Sequence, residues 1–165
     1  MSNADEIRAK TACFTGHREL KEPISEIERR LMGTVESLVQ RGCRYFGAGG
    51  ARGFDALAAE TVLKLKAAYP HIHLILVLPF DEQYQWEKGW TTAEIAQYHR
   101  LKKRASKVVV LSDRYAPGIY YRRNRHLIDH SSVCVAYMAK TNSGTGYTVN
   151  YARERGLEVI NIALV

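Results

Sequence analysis

Short apolar runs alternate along this chain with stretches of helical periodicity, and that alternation narrows its fold more than any other feature. Lys10–Thr15, Cys43–Phe46, His73–Leu78, Lys107–Leu111, Val133–Met138 and Glu158–Ile162 read as strands. The third, His-Leu-Ile-Leu-Val-Leu, is apolar at successive positions instead of alternating. Such a run suits a sheet covered on both faces, and Pro79 reads as its end. Between the first two strands, Ile27, Leu31, Val35, Leu38 and Val39 recur at helical spacing. Ser25 with Glu28 reads as a capping box behind Pro23, and Gly42 as the stop. Ala56–Ala68, Tyr120–His130 and Thr148–Arg155 also read as helices, and Asp81–Ala105 as two short ones. Strands alternating with helices predict an α/β fold: a single Rossmann-like domain, with a mostly parallel sheet of about six strands and helices on both faces. The domain is expected to span residues 1–165, with residues 1–9 disordered or derived from an expression vector.

At 165 residues the chain suits one core. No apolar run approaches the ~20 residues of a membrane span, and Met1–Glu6 lacks the basic and apolar regions of a signal peptide. No membrane partner is expected. The three cysteines are widely spaced and form no CxxC pair, so they read as buried free thiols in a reducing cytoplasm. The net charge of +7 favours an anionic partner such as a nucleotide or nucleic acid.

A parallel sheet binds ligands beyond the carboxyl ends of its strands, at a topological switch point. The segments at those ends have unusual composition. Gly47-Ala48-Gly49-Gly50-Ala51-Arg52-Gly53-Phe54-Asp55 joins a strand to a helix, the geometry that turns backbone N–H groups toward a phosphate. It is neither a GxGxxG fingerprint nor a P-loop, because the third glycine and the lysine are missing. Asp55 reads as a helix cap, a partner for ribose hydroxyls or a general base. Thr15-Gly16-His17-Arg18 follows the first strand and brings a guanidinium suited to phosphate. Pro79-Phe80-Asp81 and Ser112-Asp113-Arg114 follow the third and fourth. Tyr120-Tyr121-Arg122-Arg123-Asn124-Arg125 opens a helix, and its tyrosines read either as base-stacking or as packing aromatics. Asn142-Ser143-Gly144-Thr145-Gly146 is a second anion cradle at a helix start. Tyr84, Trp86, Trp90 and Tyr98 read as helix packing or a dimer interface. His126 and His130 have zinc-compatible spacing but no evident third ligand, so no metal is expected.

Taken in order, Thr15-Gly16-His17-Arg18, Gly49–Asp55, Leu78-Pro79-Phe80, Arg123-Asn124, Asp129 and Gly144-Thr145-Gly146-Tyr147-Thr148 resemble the YpsA-like branch of the SLOG superfamily. That superfamily joins the DNA-processing protein DprA/Smf with the LOG nucleotide hydrolases. The resemblance covers nearly the whole chain. It implies a pocket for a nucleotide or nucleotide-derived ligand, no required cofactor, and a homodimer. The implied ligand contacts are Thr15, Gly16, His17, Arg18, Gly49, Gly50, Arg52, Gly53, Asp55, Pro79, Arg123, Asn124, Ser143, Gly144 and Thr145, with Asp55 the one candidate for catalysis. LOG enzymes carry a glutamate three residues after the Gly-Thr pair of their loop, and here that position is Thr148. DprA carries a similar Gly-Gly-Ala-Arg-Gly run and an Arg-Asn-Arg stretch, but this chain lacks DprA's flanking domains. Three readings follow: ligand binding or sensing, hydrolysis of an N-glycosidic or phosphoester bond with Asp55 as acid/base, and single-stranded nucleic-acid binding.

Overall fold

The computed structural model describes residues 2–164. Six strands form one sheet, β1 Thr11–Gly16, β2 Tyr45–Ala48, β3 His73–Phe80, β4 Lys107–Ser112, β5 Val133–Tyr137 and β6 Glu158–Asn161. Every pairing is parallel and the order is β4-β3-β2-β1-β5-β6. The chain winds outward from β1 to β4, then returns to the other side of β1 for β5. The switch point therefore lies between the carboxyl ends of β1 and β5, where Gly16 is level with Tyr137.

Helices α2 Ile24–Gln40, α3 Phe54–Lys66 and α4 Thr92–Arg104 lie on one face. Helices α5 Ile119–Asp129 and α6 Gly144–Glu154 lie on the other. The central strands feed both layers. Along β1, Ala12 and Phe14 join the core under α2 and α3, while Cys13 faces α5 and α6. This explains why β1, β3 and β5 read as unbroken apolar runs. Cys13, Cys43 and Cys134 are all buried free thiols.

Three local expectations are corrected. Residues 3–9 form a helix, α1 Asn3–Ala9, where Ser2 and Asp5 make a capping box and Thr11 Oγ1 donates to the Ile7 carbonyl (2.6 Å). Helix α2 starts at Ile24, so Ser25 lies inside it. Pro23 is the N-cap and makes no side-chain cap bond; its carbonyl accepts the Glu26 and Ile27 N–H groups. Among the described residues, the capping boxes are Ser2/Asp5 and Thr91/Glu94. Strand β3 runs through Pro79 to Phe80. Its register with β2 ends at Leu76, so the N–H that Pro79 lacks has no β2 partner to lose. Of the four clustered aromatics, Tyr84, Trp90 and Tyr98 interlock with ring centroids 5.2–5.9 Å apart. Trp86 stands apart, stacked on Tyr115 at 5.3 Å and 64% exposed.

Candidate functional site

A cavity of about 600 Å³ opens at the switch point. Of the residues expected at the site, Thr15, Gly16, His17, Arg18, Asp55, Arg123, Asn124, Gly144 and Thr145 line it. Gly49, Gly50, Arg52, Gly53, Pro79 and Ser143 do not line it. Its wall also contains Glu19, Lys21, Ala51, Tyr120, Tyr121, Ala139 and Lys140. Lys21 and Lys140 escaped the sequence reading, although each follows closely on the carboxyl end of a central strand, where a cation has functional meaning.

The glycine run acts mainly behind this wall. Its N–H groups turn toward an anion that belongs to the protein: Asp55 Oδ2 accepts the Ala51 N–H (3.4 Å), and the Gly49 N–H is turned on the same carboxylate. Asp55 is 7% exposed and Arg123 5% exposed. Arg123 donates through Nη1 to the Gly49 carbonyl and through Nε to Asn124 Oδ1 (2.8 Å). A Cβ on Gly49 would lie 2.7 Å from Arg123 Nη1 and 2.8 Å from Asp55 Oδ2. Glycine is needed there because the two charged groups meet across the space a side chain would fill.

Burial pushes the Asp55 carboxyl above its ordinary range, opposed by Arg123, the Ala51 N–H, Arg18 and the Gly49 N–H. Burial also pulls Arg123 down, opposed by Asp55. A guanidinium starts from so high a pKa that it stays charged, so the pair reads as a fixed cation facing a carboxyl of raised pKa. Tyr120 lies between the arginines: Arg18 Cζ is 5.8 Å and Arg123 Cζ 5.9 Å from its ring centroid. Burial, with Glu87 nearby, pushes its phenol up.

His17 ties the two switch-point loops together. Its Nε2 accepts the N–H groups of Ala139 (2.9 Å) and Lys140 (3.2 Å). Burial lowers its pKa, and Lys140 and Lys21 lower it further. The ring is thus neutral at neutral pH, with its proton on Nδ1.

The second cradle has the form of an anion site. Ser143 Oγ accepts the Gly146 N–H (3.0 Å) and caps α6. Among the described residues, the N–H groups of Gly144 and Thr145 have no hydrogen-bond partner. They lie at the positive end of an 11-residue helix. Thr148, where LOG enzymes carry their glutamate, is 2% exposed, and its Oγ1 donates to the Gly144 carbonyl (3.1 Å). Its hydroxyl is committed to its own helix. His126 and His130 stack at 4.2 Å and line a different cavity, and no group of three metal-ligating side chains occurs among the described residues.

The fold and site define a Rossmann-like domain with a cation-lined cleft at its switch point. A model of the YspA SLOG family (YpsA) matches residues 13–160, and the chain belongs to that family. The SPbeta prophage-derived protein YoqJ of Bacillus subtilis is 30% identical over 142 residues, 78% of this chain and 81% of that protein. The UPF0398 protein BH1768 of Halalkalibacterium halodurans is 29% identical, with 80% of this chain and 70% of that protein covered. Among solved structures, DNA processing protein A of Streptococcus pneumoniae superposes with a TM-score of 0.63 at 19% identity, over 94% of this chain. The match spans only half of that protein. The Helicobacter pylori protein of the same name gives a TM-score of 0.64 at 18% identity, over 94% of this chain and 66% of that one. At these identities the likeness is one of fold.

Proposed function

We propose that this domain binds a nucleotide or nucleotide-derived ligand in the switch-point cavity. One observation carries the reading: unpaired helix N–H groups and basic side chains converge on a single cavity at the point where a doubly wound sheet takes its ligands. The volume of about 600 Å³ falls within the ~300–1,000 Å³ typical of small-molecule sites. The ligand's phosphate sits on the Gly144 and Thr145 N–H groups beside Lys140 and Lys21. Arg18 neutralises a second anionic group, and Asn124 and the Nδ1–H of His17 face the sugar or base. Asp55 holds the glycine turn and Arg123 in place, and its raised pKa keeps an acid/base role open to test.

Thermal shift and native mass spectrometry against a nucleotide panel, with ADP-ribose and cyclic dinucleotides included, test this. At least one nucleotide is expected to bind, and Arg18→Ala is expected to weaken it about tenfold or more, the size of a charge-assisted contact. A panel without a binder, or an Arg18→Ala variant that binds as well as wild type, would sink the reading.

A second reading has its own support. Tyr121 and Tyr147, 46% and 44% exposed, meet at 4.8 Å on α5 and α6 beside the cavity mouth. The Helicobacter neighbour is described by its single-stranded DNA binding mode. A strand crossing this mouth would stack bases on the pair. Its affinity would fall steeply with salt, log K dropping by ~0.7 per unit of log salt for each phosphate contacted. Oligonucleotide affinity indifferent to salt excludes this.

A further inference from the structure

The segment joining β3 to α4 carries a concentration of unusual features. Among the described residues, three buried side-chain polar atoms lack any polar partner, Gln83 Nε2 and Oε1 and Arg52 Nε, while Glu87 Oε2 makes no hydrogen bond and lies in an ion pair with Arg18. Gln83 and Glu87 lie on the segment. Arg52 lies under it, where a Cβ on Gly89 would come 3.1 Å from Arg52 Nη2. Unpaired buried groups are rare in a settled interior, and each calls for an explanation. The segment is also bracketed by two positive-φ residues. Glu82 (φ 54°) is the one non-glycine residue of that kind among the described residues, and Gly89 has φ 90°.

Between those points Glu87 reaches toward the cavity. Its side chain is 6% exposed, and its Oε2 lies 3.3 Å from Arg18 Nη2. Trp90 Nε1 donates to its Oε1 (2.9 Å). The cavity's Arg18 is thus occupied by a carboxylate of the protein itself.

We propose that Glu87 is an internal latch: it holds Arg18 while the cavity is empty, and an anionic ligand that takes Arg18 releases residues 82–90. This rests on the reading that the cavity takes an anion. A second anion beside a desolvated carboxylate is repelled by it, so ligand binding and Glu87 docking oppose each other. The ligand's affinity for the latched form is reduced accordingly. Release returns Gln83 and the Glu87 carboxylate to water, which offsets the loss of the Arg18 contact. The two positive-φ residues are the pivots.

The test follows hydrogen exchange over residues 82–90, with trypsin cleavage after the exposed Lys88 as a second readout. Wild type, Arg18→Ala and Glu87→Gln are compared, with inorganic pyrophosphate and ADP-ribose as probes. Without a probe, both variants are expected to exchange faster across 82–90 than wild type, because each removes one side of the contact. In wild type, the probe that binds is expected to speed exchange in the same segment. Glu87→Gln keeps an acceptor for Trp90 but loses the charge, and it is expected to bind the probe about tenfold tighter. A probe that binds wild type without changing exchange in 82–90, or that binds Glu87→Gln no better than wild type, overturns the latch and leaves the ligand reading standing. Unchanged exchange in both unliganded variants also overturns it. Failure of both probes to bind either form overturns the latch and the anion-binding reading together.

Discussion

Replacing Arg123 with methionine is expected to destabilise the domain by about 3–5 kcal/mol, the usual consequence of removing one partner from a buried charge pair. For a domain of this size that lowers Tm by roughly 6–20 °C. Methionine fills much of the arginine's volume, so the loss is electrostatic more than steric. It leaves the Gly49 carbonyl without its donor and Asp55, 7% exposed, without the cation that faces it. The deficit depends on pH with a definite sign. Asp55 has a folded-state pKa raised by burial, so the native state binds its proton more tightly than the unfolded chain. Ionisation of this group therefore opposes folding, increasingly so as pH rises from the unfolded to the folded value. Without Arg123 the folded value rises further, and the window extends toward neutrality. The deficit should be largest near pH 7 and shrink near ~pH 2.5, below the unfolded value of ~3.9, where the carboxyl is protonated in both states. Denaturant unfolding at the two pH values measures this. The double variant Asp55→Asn/Arg123→Met should recover a large part of the loss. Equal deficits at both pH values, or a double variant no more stable than the single one, would show that Asp55 and Arg123 do not face each other as described.

The fold was legible because its central strands are buried on both sides. His73–Phe80 and Val133–Tyr137 offer no polar face, and the chain between strands carries helical periodicity, so a covered parallel sheet follows from local pattern alone. Boundaries went astray where a local rule met a tertiary one. Pro79 should end a strand, but a strand edge without a neighbour tolerates it. Ser25 has capping chemistry, yet Pro23 was already placed with the dihedral that starts the helix. Ser2 and Asp5 cap a helix in a segment that looked like a remnant.

The site was legible in part, for a similar reason. Arg18, His17, Gly144 and Thr145 follow the carboxyl ends of β1 and β5, and position relative to a strand can be read from sequence. Glu87 could not be read that way. It comes from the segment after β3, two strands away from β1, and nothing local says that this segment folds back to Arg18. The glycine run was legible as a turn of N–H groups facing an anion, but the identity of that anion was not. Composition says that N–H groups will face an anion; it does not say whether the anion is a ligand or Asp55, four residues beyond Ala51. Asp55 helps shape the site by holding the turn that receives Arg123.

Gly53→Ala is expected to damage the fold severely, at about 3 kcal/mol or more. Gly53 has φ 81° and ψ −126°, a region that side-chain-bearing residues enter only at a cost of about 1–3 kcal/mol. Its new Cβ would also lie 2.6 Å from Arg18 Cα and 2.7 Å from the Arg18 carbonyl carbon. Those atoms are backbone, so no rotamer change relieves the contact. The loop after β1 must shift, and that loop also accepts the Phe54 N–H at the His17 carbonyl (3.2 Å). The same displacement moves Arg18 and breaks the tie from His17 to Ala139 and Lys140, so ligand affinity should fall along with stability. Gly33→Ala provides the contrast. Gly33 lies exposed within α2, with nothing within 4 Å of its would-be Cβ. That substitution should stabilise the domain by about 0.5–1 kcal/mol through helix propensity. Two identical chemical changes thus carry opposite signs, set by backbone dihedral and by what lies in the way. Thermal and denaturant unfolding of the two variants side by side decides it: a Gly53→Ala protein as stable as wild type would mean that the β1 loop does not press on the glycine turn.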